Sequence, residues 1–162
     1  MLLVYALWVR AIGIDYGRKR IGLAISDPTG LLARPWKTIA SAGGPARVAA
    51  VLAAEVATLA AEEDGLSAIA LGYPRRLNGE PNDQTAAVEA IAARLRGLVA
   101  VPVVLQDERL SSHEAESLMS RTEKDWRKRK LLLDAASAAV ILQDYLDAQT
   151  RPTHRFIEGE NA

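Results

Sequence analysis

The chain has 162 residues, no cysteine, and twenty basic residues against twenty acidic ones, for a formal net charge of zero. The length suits a single domain with its own core, and the missing thiols exclude a disulfide framework, a zinc–thiolate centre and a cysteine nucleophile, which fits a reducing cytoplasm. Zero net charge leaves any affinity for nucleic acid to local basic patches.

The opening run from Met1 to Val9 is apolar, but it is far short of the roughly 20 residues that span a bilayer. It has no basic leader or clear cleavage site and reads as a ragged extension of the strand behind it. No membrane association is expected. In that strand Ile12, Ile14 and Tyr16 alternate with Ala11, Gly13 and Asp15, so Asp15 stands on a face kept bare by small neighbours. Gly17 closes the strand. Arg18, Lys19 and Arg20 form a basic turn, and Ile21 to Ser26 reads as the returning strand of a hairpin. The stretch Asp27-Pro28-Thr29-Gly30 is a turn, and Leu31 to Ile39 is a third strand, whose internal Pro35 favours a sheet edge.

Gly43-Gly44-Pro45 precedes an alanine-rich helix over about 46–63, with Val48, Val51, Leu52, Val56 and Leu59 near helical spacing. Ser67 to Gly72 is a continuous apolar run, as expected of a parallel strand buried on both faces. The loop behind it carries Arg75 and Arg76, and loops at the carboxyl ends of parallel strands are where open α/β sheets bind ligands. A helix over about 83–96 leads to a fifth strand over 101–105, which delivers Asp107, Glu108 and Arg109. Ser111 with Glu114 fits a capping box that starts another helix. A basic segment over 121–130 follows, including Lys124, Arg127, Lys128, Arg129 and Lys130 around Trp126. The last helix is expected from about Leu131 to Ala148, which places Asp134 in its first turn, where free backbone N–H groups favour an anion.

The order predicts a five-stranded mixed sheet, antiparallel hairpins followed by parallel strands, with helices on both faces. One domain over 1–150 and an irregular tail over 151–162 are expected. Carboxylates from three separated parts of the chain, with only His113 and His154 besides, point to a hard cation such as Mg²⁺ or Mn²⁺. Two such ions support in-line displacement at a phosphodiester without a protein nucleophile.

Together these residues resemble the bacterial YqgF group, also called RuvX, of the RNase H-like nuclease superfamily. The resemblance is carried by Gly13-Ile14-Asp15-Tyr16-Gly17-Arg18-Lys19-Arg20-Ile21-Gly22-Leu23-Ala24, by Leu71-Gly72-Tyr73-Pro74 with Gly79, by Asp107-Glu108-Arg109-Leu110-Ser111, and by Asp134 followed by Ala138 and Ile141-Leu142-Gln143. It implies an RNase H-like fold, with Asp15, Glu108 and Asp134 as catalytic, metal-binding carboxylates and Arg109 beside them. Asp107 is the next candidate if its strand presents the other face. Tyr73 departs from the family's usual leucine, and Ala135-Ala136-Ser137 varies the usual helix start, but no departure removes a carboxylate.

Plainer readings stand beside these. Asp15 also reads as a strand terminator, Glu108 with Arg109 as a surface ion pair worth about 0–1 kcal/mol, and Asp134 as a helix-start acid. Arg75 and Arg76 suit phosphate oxygens and equally suit a solvated loop. The 121–130 segment reads as a nucleic-acid footprint or as a solvated loop with Trp126 on the core. The expected activity is that of a cytoplasmic endonuclease on structured nucleic acid. One substrate is the four-way Holliday junction, which calls for a homodimer to place symmetric cuts. The other is the 5′ end of the small-subunit rRNA precursor. An actin-like nucleotide-binding protein and a non-catalytic nucleic-acid-binding module are the rival classes.

Overall fold

The computed structural model describes residues 9–76, 78–107 and 126–150, with the side chains at 126, 127 and 129–131 excepted. Five strands form one sheet: β1 (Arg10–Tyr16), β2 (Arg20–Ser26), β3 (Ala33–Ala40), β4 (Leu66–Tyr73) and β5 (Val103–Asp107). Their order is β3-β2-β1-β4-β5. The pairs β1–β2 and β2–β3 are antiparallel, whereas β1–β4 and β4–β5 are parallel. Helices α1 (Pro45–Ala60) and α2 (Thr85–Arg96) cover one face, and α3 (Trp126–Thr150) covers the other. The expected mixed sheet with helices on both faces is therefore what forms.

Strand alternation sorts the side chains into two unlike layers. Ile12, Ile14, Ile21, Leu23, Ile69 and Leu71 point towards α1 and α2, where they meet Val48, Leu52, Leu59, Val88, Ile91 and Leu95. The opposite face offers Ala11, Ala24 and Ala70 to Ala138, Ile141, Leu142 and Leu146 of α3. Small residues let this helix come very close. A methyl group built on Gly13 would lie 2.6 Å from the Ala138 carbonyl oxygen, and one on Gly22 would lie 1.8 Å from that of Asp134. Gln143 ties α3 to the sheet margin as well, its Oε1 accepting from the Ala33 N–H at 2.9 Å and its Nε2 donating to the Leu31 carbonyl at 2.8 Å.

Several element boundaries differ from expectation. β3 begins at Ala33 because Leu31 and Leu32 belong to the preceding turn, where their N–H groups donate to Asp27 Oδ1 at 3.0 and 2.8 Å. β5 begins at Val103, after Pro102, which has no N–H to give to a ladder. α2 begins at Thr85, since Asn82 Oδ1 accepts from the Gln84 N–H and holds residues 82–84 in a turn. The largest correction concerns α3, which starts at Trp126 and not near Leu131. Arg127, Lys128, Arg129 and Lys130 are thus helical, and Asp134 lies in the third turn, away from the helix-start amides. The helix expected from Ser111 lies outside the described residues.

β3 is an outer strand, as Pro35 suggested. Trp36 is its bulged residue, because Leu23 pairs with Lys37 while Ala24 pairs with Pro35. Lys37 Nζ lies 4.3 Å from the centroid of the Trp36 ring and 2.6 Å from Glu55 Oε2 of α1.

Candidate active site

β1 delivers Asp15 on the face it shares with Ala11 and Gly13, the face covered by α3. Its register partner on β2 is Gly22, the glycine on which the Asp134 backbone rests. A side chain at 22 would hold the helix off, so Gly22 is what lets an aspartate of α3 stand over the strand pair that carries Asp15. The turn between the strands is tight. The Gly17 N–H donates to the Arg20 carbonyl at 2.9 Å, and a methyl group on Gly17 would lie 2.6 Å from that oxygen. Arg18 and Lys19 are exposed at its tip.

Arg20 shares the face of Gly22 and Ala24, and its Nε donates to Asp134 Oδ2 at 2.6 Å. The two side chains are 27% and 26% exposed. A charge-assisted bond of this length fixes the carboxylate's orientation. Arg20 therefore takes over the role that helix-start amides were expected to play for Asp134. The fold brings Asp15, Arg20 and Asp134 together on one patch of sheet.

Asp107 does not join them. It pairs with Tyr73 at the end of β5 and shares the parity of Val103 and Leu105, which pack towards α1 and α2. Strand alternation thus turns it away from the face of Asp15. Glu108, Arg109 and Lys124 lie outside the described residues. Among the described residues no group of three or more His, Cys, Asp or Glu side chains is placed to hold a metal ion. Asp15 and Asp134 are both hard oxygen donors, the ligand type that Mg²⁺ and Mn²⁺ take.

The basic residues separate into distinct places. Arg75 lies with its guanidinium 4.6 Å from the centroid of the Tyr73 ring, a cation–π contact. The Tyr73 hydroxyl donates to Glu89 Oε1 at 2.5 Å, and this bond is the main reason its pKa is raised above the ordinary value. Tyr73, the departure from the family pattern, therefore orients one of the two loop arginines. Arg76 instead lines, with Arg18, an open cleft of about 690 Å³, to which Asn82, Asp83 and Gln84 also contribute among the described residues. Arg18 follows β1 and Arg76 follows β4, so the cavity opens at the same carboxyl-terminal edge of the sheet as Asp15. Lys128 is exposed in the first turn of α3. Arg127, Arg129 and Lys130 belong to that helix start, their side chains outside the described set.

Sequence reasoning missed Gly22 as the seat of α3, and it missed the Asn82-Asp83-Gln84 wall. The first had a signal, because Gly22 is a glycine inside an otherwise apolar strand, which often marks a close backbone approach. The second had only its place in and just after the turn-rich loop behind β4, since the meeting with Arg18 joins chain segments more than sixty residues apart.

The family model described as "RuvX: Holliday junction resolvase" matches residues 9–148. A Geobacillus kaustophilus (strain HTA426) protein named "Putative pre-16S rRNA nuclease" is 37% identical over 146 residues, covering 87% of this chain and 99% of its own. A protein of the same name from Syntrophus aciditrophicus (strain SB) is 39% identical over 140 residues, covering 86% and 89%. Among solved structures, Thermus thermophilus RuvC superposes with a TM-score of 0.54 at 16% identity, over 87% of this chain and 96% of that one. The same protein in complex with a Holliday junction substrate gives 0.52 at 17% identity, over 87% and 95%. At such identities the superposition speaks for a shared RNase H-like fold. With a family match over residues 9–148 and with relatives aligned over most of both chains, this chain belongs to the RuvX family of nucleases.

Proposed function

We propose that the protein is a divalent-metal-dependent endonuclease that trims precursor small-subunit rRNA, with Asp15, Glu108 and Asp134 as its catalytic carboxylates. The observation that carries the reading is the seating of α3 on Gly22, which puts Asp134 beside the strand position of Asp15. The names of the curated relatives favour precursor rRNA as the substrate.

In this reading Asp15 and Asp134 offer oxygen ligands from one face of the sheet, and Glu108, the residue after the last one of β5, supplies the third. A divalent ion held by these residues would supply Lewis acidity for in-line phosphodiester hydrolysis. Arg20 keeps the Asp134 carboxylate in one orientation through its Nε bond. Arg18 and Lys19 at the turn tip, and Arg75 on its tyrosine platform, meet phosphate oxygens of the bound strand. The basic start of α3 adds non-specific attraction, which makes binding weaken with salt.

A second reading, resolution of four-way DNA junctions, rests on the description of the matching family model. It requires two copies acting on symmetric strands. Both readings are tested by incubating the wild-type protein and Asp15→Asn with labelled precursor rRNA and with a labelled four-way DNA junction, with and without Mg²⁺ or Mn²⁺. Metal-dependent cuts in the RNA that vanish in the variant support the proposal. Cuts confined to the junction, made by a dimeric species, favour the second reading. Binding of both substrates without cutting refutes the nuclease assignment and leaves a binding module.

A further inference from the structure

The cavity between the β1–β2 turn and the β4–α2 loop has a lining that a phosphate alone does not explain. Arg18 and Arg76 suit an anion, but Asp83 stands among them, with Asn82 and Gln84 completing the wall. A carboxylate beside a phosphate is repulsive, whereas cations, amides and a carboxylate together, as the described lining has them, present both donors and acceptors. A nucleobase edge has that same mixed character. The cleft, about 690 Å³ and open to solvent, is wide enough to admit a base.

The walls are built in advance. Thr85 is buried, its hydroxyl donating to the Pro74 carbonyl at 2.7 Å while its Oγ1 accepts from the Asn82 N–H at 2.8 Å. One side chain thereby clasps both ends of the loop. Within it, the Arg76 N–H donates to the Glu80 carbonyl and the Gly79 N–H to the Arg76 carbonyl, each at 2.8 Å. Gly79 takes φ +85°, a conformation that suits glycine. Arg75 and Pro81 form a bridge across the loop neck. By contrast, the charges that face the cavity are loosely committed. Arg18 Nη2 and Asp83 Oδ2 are 3.7 Å apart, with side chains 68% and 85% exposed. An exposed pair of this kind contributes little to the fold and is readily exchanged for a ligand.

We propose that this cavity is a guanine subsite that takes one unpaired guanine of the bound strand next to the position of cleavage. Guanine is the base whose Watson–Crick edge pairs two adjacent donors, N1–H and the N2 amine, with the acceptor O6, while N7 accepts on its other edge. The Asp83 carboxylate accepts from N1–H and N2–H, and an arginine of the cavity donates to O6 and N7, the pairing that suits a guanidinium fork. Adenine, cytosine and uracil each lack the double donor that a carboxylate engages with both oxygens. Single-stranded segments, whose bases are free to leave the stack, are the form in which RNA is read in this way. The assignment rests on the nuclease reading for its place in function, but its test does not need cleavage.

The test measures fluorescence anisotropy of labelled hexaribonucleotides, all-uridine or with a single central G, A or C, on the full chain carrying Asp15→Asn to prevent cutting. The central-G hexamer is expected to bind at least about fivefold tighter than the other three, the low end for one bidentate base contact. Adding Asp83→Ala should erase that preference without weakening the all-uridine hexamer, and inosine in place of guanine should bind in between. Equal affinity for the four hexamers, no binding of any, or a preference that survives Asp83→Ala overturns the proposal. GMP that binds as tightly as the central-G hexamer overturns it too, by assigning the cavity to a free nucleotide. Failure of the protein to cut any substrate, with the guanine preference intact, counts against the nuclease reading and not against the subsite.

Discussion

The two faces of the sheet are built on opposite rules. Towards α1 and α2 the strands present isoleucine and leucine, and the layer is filled by large side chains meeting at ordinary packing distance. Towards α3 they present glycine and alanine, so that helix backbone lies almost on strand backbone. The first arrangement stabilises by burying apolar area. The second contributes less area per residue but fixes the height of α3 over the sheet, and with it the place of Asp134. Stability and site geometry are therefore lodged on different sides of the same strands.

The comparison is broken most severely by Gly22→Ala. With a methyl group 1.8 Å from the Asp134 carbonyl oxygen, the helix must move, and at the proposed catalytic carboxylate a displacement of about 1 Å would cost about a hundredfold in rate. Cleavage should fall by at least that factor, while α1 and α2 stay packed. Hydrogen exchange confined to α3, measured beside the cleavage rate, checks both halves. On the other face, Leu71→Ala should lower stability by about 2–5 kcal/mol, read by urea denaturation. Cleavage per folded molecule should remain near wild type at a permissive temperature. A Leu71→Ala protein that is stable but inactive would show that the two faces are not separable.

Smaller effects sharpen the picture. Arg20→Gln removes the ion pair to Asp134 Oδ2. It should reduce cleavage by about tenfold, in keeping with loss of a positioning contact, and change stability by no more than about 1 kcal/mol. Arg20→Lys should restore less than half of the lost rate, since an ammonium on a flexible stem lacks the fixed, planar Nε–H donor that Asp134 Oδ2 accepts from. The smallest effect concerns Asp27, which accepts from the Thr29 hydroxyl and from the N–H groups of Leu32, Leu31 and Thr29. These bonds, the Thr29 hydroxyl first, lower its pKa below the ordinary 3.8. A lowered native pKa contributes stability that is present above 3.8 and lost as pH falls through the native value. Asp27→Asn should therefore leave a slightly less stable protein at neutral pH and shrink the wild-type advantage towards zero below pH 3.8. Melting temperatures of the two proteins across that range measure it.

The mixed sheet was legible because alternation in β1 and β2 is a local signal and β4 reads as a continuous apolar run, each over seven or eight residues. Asp15 was legible for the same reason, as the one charge on a face of small residues. The start of α3 was not. A dense run of lysine and arginine at 127–130 has no apolar stripe, and it reads as a solvated loop even though both residues are good helix formers. That one boundary carried Asp134 into the wrong turn and hid its real partner, Arg20. The cavity wall at Asn82, Asp83 and Gln84 was illegible for a different reason. Local sequence shows a turn there, but only the folded sheet brings Arg18 across to face it.

The outer strand β3 has a bearing on the protein's behaviour in concentrated solution. Pro35 removes a donor, the bulge at Trp36 breaks the hydrogen-bonding rhythm, and Lys37 is drawn back to Glu55. Such a margin is a poor template for adding a foreign strand. Fibril growth by edge-to-edge stacking is blocked on this side of the molecule, so the chain can accumulate without recruiting its own copies into a continuous β-ribbon.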